Sequence, residues 1–246
     1  MAKITMVDVQ EAYNDIETAE TYVESVDSVG LWESEKWIFE TYANKNSSIL
    51  DIGCGAGRTT FGLHQIGYHK IIGLDISQEM VMQAQKLNEK KGLQISFLCK
   101  DAQSLPYESN EFDIVFFSFN GLMQVPTKQL RENVGLEIKR VLKAGGLFIF
   151  TTHDRKHPEH KRLWASELNI WSQNMQDKRL HEFGDLIIQR KGKETYLHIP
   201  TQNEIIDLMG KIGFDILLAK DRSDIKIENE SVKKVASECV FWVVKK

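Results

Sequence analysis

The stretch Ile49-Leu50-Asp51-Ile52-Gly53-Cys54-Gly55-Ala56-Gly57-Arg58-Thr59-Thr60 decides the fold. A short apolar run leads into glycines at every second position, and a helical pattern follows. Without a Cβ, glycine lets the backbone turn tightly and approach a ligand, and a helix start offers free N–H groups. The dinucleotide spacing G-x-G-x-x-G would need glycine at position 58, where Arg58 stands. Gly62 and Gly67 have the glycine spacing of a phosphate-cradling G-x-x-x-x-G-K-[ST] loop, but Tyr68 and His69 follow them. Asp51 adds a carboxylate that would repel pyrophosphate and would tolerate, even welcome, a cationic ligand.

Outward from this loop, short apolar runs alternate with helical periods. Ser48–Ile52, Lys70–Asp75, Ile95–Cys99, Asp113–Ser118 and Leu147–Thr152 read as strands buried on both faces of a parallel sheet. Ser77 caps a helix that places Met80, Val81, Ala84 and Leu87 on one face. A second helix runs from Thr127 with Leu130, Val134, Ile138 and Val141 inward, closing at Gly145-Gly146 and weakened inside by Gly135. Thr201 and Glu204 form a capping box before a helix that stops at Gly213. Ile216–Ala219 and Cys239–Val244 complete the strands. The alternation predicts a doubly wound, Rossmann-like α/β sheet.

Two regions stand outside it, giving expected boundaries of 1–45 for a helical, aromatic-rich N-terminal cover and 46–246 for the α/β domain. Within the latter, about 153–200 forms an insertion suited to binding substrate, ending in a hairpin of Asp185–Arg190 and Glu194–Ile199 that turns at Lys191-Gly192-Lys193.

The 246 residues are 42% hydrophobic and 27% charged, which excludes a disordered chain. A net charge of −4 argues against a general nucleic-acid binder. The N-terminal stretch lacks the pattern of a signal peptide, and no apolar run approaches the ~20 residues of a membrane span. Three scattered cysteines, Cys54, Cys99 and Cys239, support neither a disulfide framework nor a thiolate zinc site. A cytoplasmic protein, monomer or homodimer, with no membrane partner is the expectation.

Acids end three successive strands. Asp75 follows the glycine loop at the distance that suits ribose hydroxyls, and Asp101, in Cys99-Lys100-Asp101-Ala102, can accept from an exocyclic amine. An adenosine bearing a positive centre fits this crevice; one bearing phosphates does not. The sequence here resembles the class I S-adenosylmethionine-dependent methyltransferases, near the small-molecule type 11/25 or UbiE-like branch. Asp51 to Gly57 match the family's D-x-G-x-G-x-G loop, Asp75 its ribose acid, Ile76 the apolar residue beside adenine, and Asp101-Ala102 the adenine-edge pair. Phe112–Ser118 match the fourth strand, and Arg140–Gly146 the turn before the fifth. The resemblance covers residues 47–152 well and implies a seven-stranded sheet with its last strand antiparallel. It also implies that Tyr22, Asp51, Gly53, Cys54, Gly55, Gly57, Asp75, Ile76, Met80, Asp101, Ala102 and Ser118 surround S-adenosylmethionine, which leaves as S-adenosylhomocysteine.

A sulfonium methyl is already activated, so proximity and desolvation suffice and no fixed catalytic residue is required. After the fourth strand stands Ser118-Phe119-Asn120-Gly121, which lacks the N/D-P-P-Y/F/W motif of base-amine methylation. No cysteine lies between Cys99 and Cys239 to serve cytosine C5 chemistry. His153, His198 and Tyr196 are the candidates for a base or substrate contact. His153, His157 and His160 lack a metal-binding register because Pro158 interrupts them, so no metal is expected. Tyr13 or Tyr22 can present a ring to the sulfonium. The expected reaction is methyl transfer to N or O of a small molecule. The alternative is an RNA methyltransferase using Arg155, Lys156, Lys161 and Arg162 with Trp164 and Trp171.

Overall fold

The computed structural model describes residues 2–190 and 193–246, so the expected hairpin turn at Lys191-Gly192 lies outside the described residues. Three N-terminal helices, α1 (Met6–Tyr13), α2 (Ile16–Ser28) and α3 (Glu33–Tyr42), precede the alternating part. There follow β1 (Ile49–Ile52), α4 (Arg58–Gln65), β2 (Ile71–Asp75), α5 (Gln78–Lys90), β3 (Ser96–Cys99), β4 (Phe112–Phe117), α6 (Lys128–Val141) and β5 (Leu142–Thr152). Helix α7 (Lys161–Ser172) and the hairpin β6 (Asp185–Arg190) and β7 (Lys193–His198) form the insertion. The chain closes with α8 (Gln202–Ile212), β8 (Asp215–Asp221), α9 (Arg222–Ile225), α10 (Glu230–Val235) and β9 (Val240–Lys245).

The main sheet has seven strands in the order β3-β2-β1-β4-β5-β9-β8, and β9 runs antiparallel to both neighbours. Side chains alternate between its two faces, as a pleated strand requires. Leu50, Val115, Phe117, Phe148, Phe150 and Trp242 join one core with α6 and α8. Ile49, Ile114, Phe116, Ile149, Phe241 and Val243 join the other with α3, α4 and α5. Nearly all are buried, which is why the strands read as continuous apolar runs.

The capping signals act as expected: Ser77 accepts from the Met80 N–H, Thr127 from Leu130, and Thr201 and Glu204 form a reciprocal box. Gly135 weakens α6 by propensity, but a Cβ there would lie 2.4 Å from Ile212 Cδ1, so the glycine permits the close approach of α8. Strand ends such as those of β4, β8 and β9 shift slightly from expectation, and the largest shift is at the end of α6. Helix α6 ends at Val141 rather than at Gly145-Gly146, and β5 begins at once. Phe112 pairs with Leu142 and Ile114 with Leu147, so Lys143–Gly146 bulge out of the ladder, with Gly145 at φ +76°.

Candidate active site

The glycine loop joins β1 to α4 at the carboxyl end of the sheet, where ligands of open α/β sheets bind. Gly53, Gly55 and Gly57 have φ of +64°, +55° and +95°, a left-handed region costly for any residue with a Cβ. A Cβ on Gly53 would lie 2.6 Å from the Phe117 ring, and one on Gly55 3.1 Å from Tyr22. The glycines therefore admit aromatic rings onto the loop as well as a ligand.

Asp75 ties the loop to the end of β2. Its Oδ2 accepts the Gly55 N–H at 2.8 Å and its Oδ1 the Ser77 N–H at 2.9 Å. Burial pushes this carboxyl up, and the N–H groups of Ser77, Gly55 and Ile76 pull against it. A carboxylate has about four acceptor positions, so capacity remains beyond these bonds. Asp101 accepts from the backbone and side chain of Gln103 at 2.8 and 3.0 Å and stands at the same cleft.

The cleft holds about 770 Å³, measured out to its open mouth. Of the expected residues, Tyr22, Gly53, Gly55, Asp75, Ile76, Met80, Asp101, Ala102 and Ser118 line it. Tyr13 joins them, its ring edge-on to Tyr22 at 6.3 Å. The N-terminal helices thus roof the cleft: Gln10 donates to the Ile76 carbonyl, and Asn14 accepts the Glu79 N–H. The carboxylate pair, the apolar walls and the absence of Arg from the lining fit an adenosine with a cationic tail, and Lys100 stands exposed.

Three expected cofactor residues lie elsewhere. Asp51 is fully buried, and its Oδ2 accepts the hydroxyls of Thr59 at 2.5 Å and Thr60 at 2.6 Å. Burial raises its carboxyl to about 7, against those hydroxyls. Oδ2 thereby fastens β1 to the start of α4, while the buried Oδ1 has no hydrogen-bond partner among the described residues. Gly57 caps α4, and a Cβ there would strike the Phe61 ring at 2.6 Å; it does not reach the cleft. Cys54 is buried, and burial pushes its thiol well up; it lines a neighbouring cavity that shares Tyr22, Gly53, Ser118 and Phe119 with the cleft.

Arg58, the residue that breaks the dinucleotide spacing, has its own partner. It makes two bonds of 2.7 Å to the fully buried Glu35 of α3 and stacks 5.0 Å from the Trp32 ring centre. Glu35 also accepts the Ser118 hydroxyl at 2.6 Å, which links α3, α4 and the end of β4 beneath the cleft. Nothing in the local pattern announces this pair, because its partners are 23 residues apart.

A second chamber of about 860 Å³ adjoins the cleft and shares Tyr13, Phe119 and Gln124 with it. Its walls come from the hairpin (Ile188, Thr195, Tyr196, Leu197), from Trp32, and from Val235, Ala236, Ser237 and Cys239. That last wall, between α10 and β9, lies outside the two regions expected to cover the site.

Among the catalytic candidates, His153 faces this chamber. Its Nδ1 lies 2.8 Å from the Glu238 carbonyl and its Nε2 3.0 Å from Asn120 Nδ2. Burial lowers its pKa below the ordinary value. Phe119 and Asn120, just after β4, have φ of +51° and +62°, a backbone strain typical of functional turns.

Tyr196 and His198 are committed to Asp185 instead. Tyr196 Oη donates to Asp185 Oδ1 at 2.6 Å, and His198 Nδ1 donates to the same oxygen at 2.8 Å. Burial and the Asp185 carboxylate push the Tyr196 phenol far up, which disqualifies it as a base. His198 lines a small cavity with Arg131, Glu182 and Glu204, away from the chamber. Glu182, Asp185 and His198 stand close enough to suggest a metal set, but each is already held by a hydrogen bond or ion pair, Glu182 by Arg131.

Of the basic segment, Arg155 is spent on packing. Arg155 donates to the Phe183 and Ile199 carbonyls, pairs with Glu204 at 2.5 Å, and stacks on Phe183 and Trp164. Trp164 is buried. Lys156, Lys161 and Arg162 alone remain exposed. The three cysteines are unpaired, and among the described residues no helix is long and apolar enough to cross a membrane.

Residues 49–146 match the family described as "Methyltransferase domain", and that match implies S-adenosylmethionine as the cofactor. A demethylmenaquinone methyltransferase of Lactococcus lactis is 35% identical over 162 residues, which is 62% of this chain and 62% of the relative. A sterol 24-C-methyltransferase of Pneumocystis carinii is 30% identical over 127 residues, 48% of this chain and 33% of the relative. The chain therefore spans less than two thirds of these relatives. A methyltransferase structure from Methanosarcina mazei superposes with a TM-score of 0.69 at 22% identity, covering 88% of this chain and 98% of that one. The [4+2]-cyclase SpnF gives a TM-score of 0.69 at 18% identity, covering 100% and 98%. These likenesses show the fold, and the second shows that the fold by itself does not fix the reaction.

Proposed function

We propose that this chain, through its methyltransferase domain, moves a methyl group from S-adenosylmethionine to nitrogen or oxygen of a small, uncharged molecule held in the second chamber. The observation that carries the reading is the contact between the two cavities: a cofactor cleft bearing the family's loop opens beside a separate chamber, and Tyr13, Phe119 and Gln124 belong to both. When bound, S-adenosylmethionine supplies a methyl on positively charged sulfur, which departs as a neutral thioether.

Asp75 would take the ribose hydroxyls on its remaining acceptor positions, Asp101 and Ala102 the adenine edge, and Ile76 and Met80 its apolar face. Gly53, Gly55 and Ser118 would border the methionine portion, beneath the rings of Tyr13 and Tyr22. Among the described residues, no Asp, Glu, Lys or Arg lines the chamber, so a charged acceptor would lose hydration without compensation there. The same absence disfavours an RNA backbone in this space. Two relatives carry names that refer to a menaquinone and a sterol, and apolar bodies of that kind suit these walls.

Calorimetric titration with S-adenosylmethionine and S-adenosylhomocysteine tests the first half of the reading. One-to-one binding that weakens by about 1–3 kcal/mol in Asp75→Ala is expected, the loss of charged hydrogen bonds. Unchanged affinity in that variant refutes the ribose assignment, and no binding to either compound refutes the function.

A further inference from the structure

We propose that His153 is the catalytic base of this site and that the acceptor is a neutral phenol whose hydroxyl docks on His153 Nε2. The proposal rests on the methyl-transfer reading above and names its substrate class.

The geometry of the imidazole comes first. A carbonyl oxygen only accepts, so the 2.8 Å contact with Glu238 O places the ring proton on Nδ1. The basic lone pair is then on Nε2, where the Asn120 amide donates to it at 3.0 Å. A phenol O–H arriving at Nε2 displaces the Asn120 amide, which then donates to the phenol oxygen, so the site gains one hydrogen bond. The backbone carbonyl of Glu238 is thus a positioning group, and it fixes the tautomer a base needs.

The other charged and titratable groups around the ring are Glu238, Arg222 and His160, the last at 6.0 Å between ring centres. Burial outweighs the Glu238 contribution and keeps the ring neutral near pH 7, ready to accept a proton. Of the other titratable side chains in the chamber, the Tyr196 phenol and Cys239 thiol are both pushed far up by burial.

The class of acceptor follows from what a base is for. A neutral amine already offers a lone pair and needs no base before attack, whereas a neutral hydroxyl becomes a strong nucleophile only as its proton leaves. The rings of Tyr13, Trp32, Phe119 and Tyr196 along the walls favour a flat aromatic body. In the step itself the phenol O–H bond breaks, its proton passing to Nε2 and its electron pair staying on oxygen. That pair forms the new O–C bond to the transferred methyl, whose former bonding pair remains on the donor's sulfur. The proton on Nε2 then returns to water.

The test uses the whole protein saturated with S-adenosylhomocysteine, titrated calorimetrically with 2-naphthol and with 2-methylnaphthalene. Wild type should bind 2-naphthol about tenfold more tightly, the worth of one good buried hydrogen bond. His153→Phe keeps a ring and removes the acceptor, and should erase that preference. In turnover with S-adenosylmethionine, His153→Phe should slow methylation of 2-naphthol by about a hundredfold or more, the range of general-base catalysis. Methylation of 4-nitrophenol, already ionised at pH 8, should fall far less. Nitrogen NMR of wild type should show the Nδ1–H tautomer of His153 titrating below 6.5.

Equal binding of the two naphthalenes by wild type, an Nε2–H tautomer, or an equal rate loss for both phenols overturns the proposal. The first two measurements need no variant, so they decide even where His153→Phe fails to fold. Failure of S-adenosylhomocysteine to bind refutes the methyl-transfer reading itself. Its binding without discrimination between the naphthalenes refutes only the phenol and the base.

Discussion

Replacing Glu35 by Gln should destabilise the protein more than any exposed substitution of similar size. Glu35 is fully buried and accepts four hydrogen bonds: two from Arg58 at 2.7 Å, one from the Trp32 N–H at 2.9 Å and one from the Ser118 hydroxyl at 2.6 Å. Its partner Arg58 keeps only 13% of its side chain exposed. Gln preserves the shape but removes the charge, and its NH₂ faces the guanidinium donor to donor. Breaking a buried pair from one side typically costs about 3–5 kcal/mol, because the remaining charge stays desolvated and unpaired. For a chain of this size that lowers Tm by roughly 6–20 °C. Urea unfolding followed by tryptophan fluorescence measures the loss, and calorimetry in parallel follows the cofactor, since Ser118 loses its acceptor at the cleft floor. The double variant Glu35→Gln, Arg58→Met removes the orphaned charge and should recover part of the stability. A loss below about 1 kcal/mol for Glu35→Gln, or a double variant no better than the sum of the single ones, would refute the reasoning.

Three other outcomes are expected. Gly53→Ala forces a Cβ into the left-handed region and to 2.6 Å from Phe117, so it should cost about 2–4 kcal/mol in urea and weaken cofactor binding; a neutral substitution would show that the ring moves freely. The Asp51 carboxyl titrates near 7 in the folded chain against an ordinary 3.8, so the folded state holds its proton longer than the unfolded one. Its share of stability therefore falls as pH rises from about 4 to about 7 and is flat above, by on the order of 4 kcal/mol at most. Unfolding curves of Asp51→Asn should lack that part of the slope, and identical slopes in both proteins would contradict the assignment. Asp185→Ala strands the Tyr196 hydroxyl, the His198 Nδ1–H and the N–H groups of His181 and Glu182. It should raise hydrogen exchange across β6 and β7, and unchanged protection there would mean that Asp185 does not hold the hairpin.

The central strands were readable because they are buried on both faces and bounded by turn residues, whereas β3 and β8 at the sheet's edges are largely exposed. The glycine loop and the acids Asp75 and Asp101 were readable because their spacing along the chain sets their spacing in the cleft. What pattern could not supply is the direction of a side chain whose partner is remote. Asp51 sits in the family's loop, yet its carboxyl turns to Thr59 and Thr60, eight and nine residues on in the next helix. Arg58 counted only as the wrong residue for a dinucleotide, and its pairing with Glu35 follows from the docking of α3. His198 and Tyr196 stood as candidates on the hairpin. A buried Asp185 on the neighbouring strand claimed both, and no one-dimensional signal marks that claim. The start of β5 was misplaced for a local reason: Gly145-Gly146 resemble a helix stop, but here they form a bulge inside a strand.

Tyr13, at the end of α1, belongs to both cavities, and the helix that bears it is pinned at each side. Ile4 accepts from the His181 imidazole and Lys3 donates to the Leu180 carbonyl, while Gln10 reaches the sheet. Tyr13 is thus a partition wall common to both compartments, so a shift of α1 reshapes the two volumes together. Substitutions at Lys3 or His181, remote from both cavities, should be felt in each through that one helix.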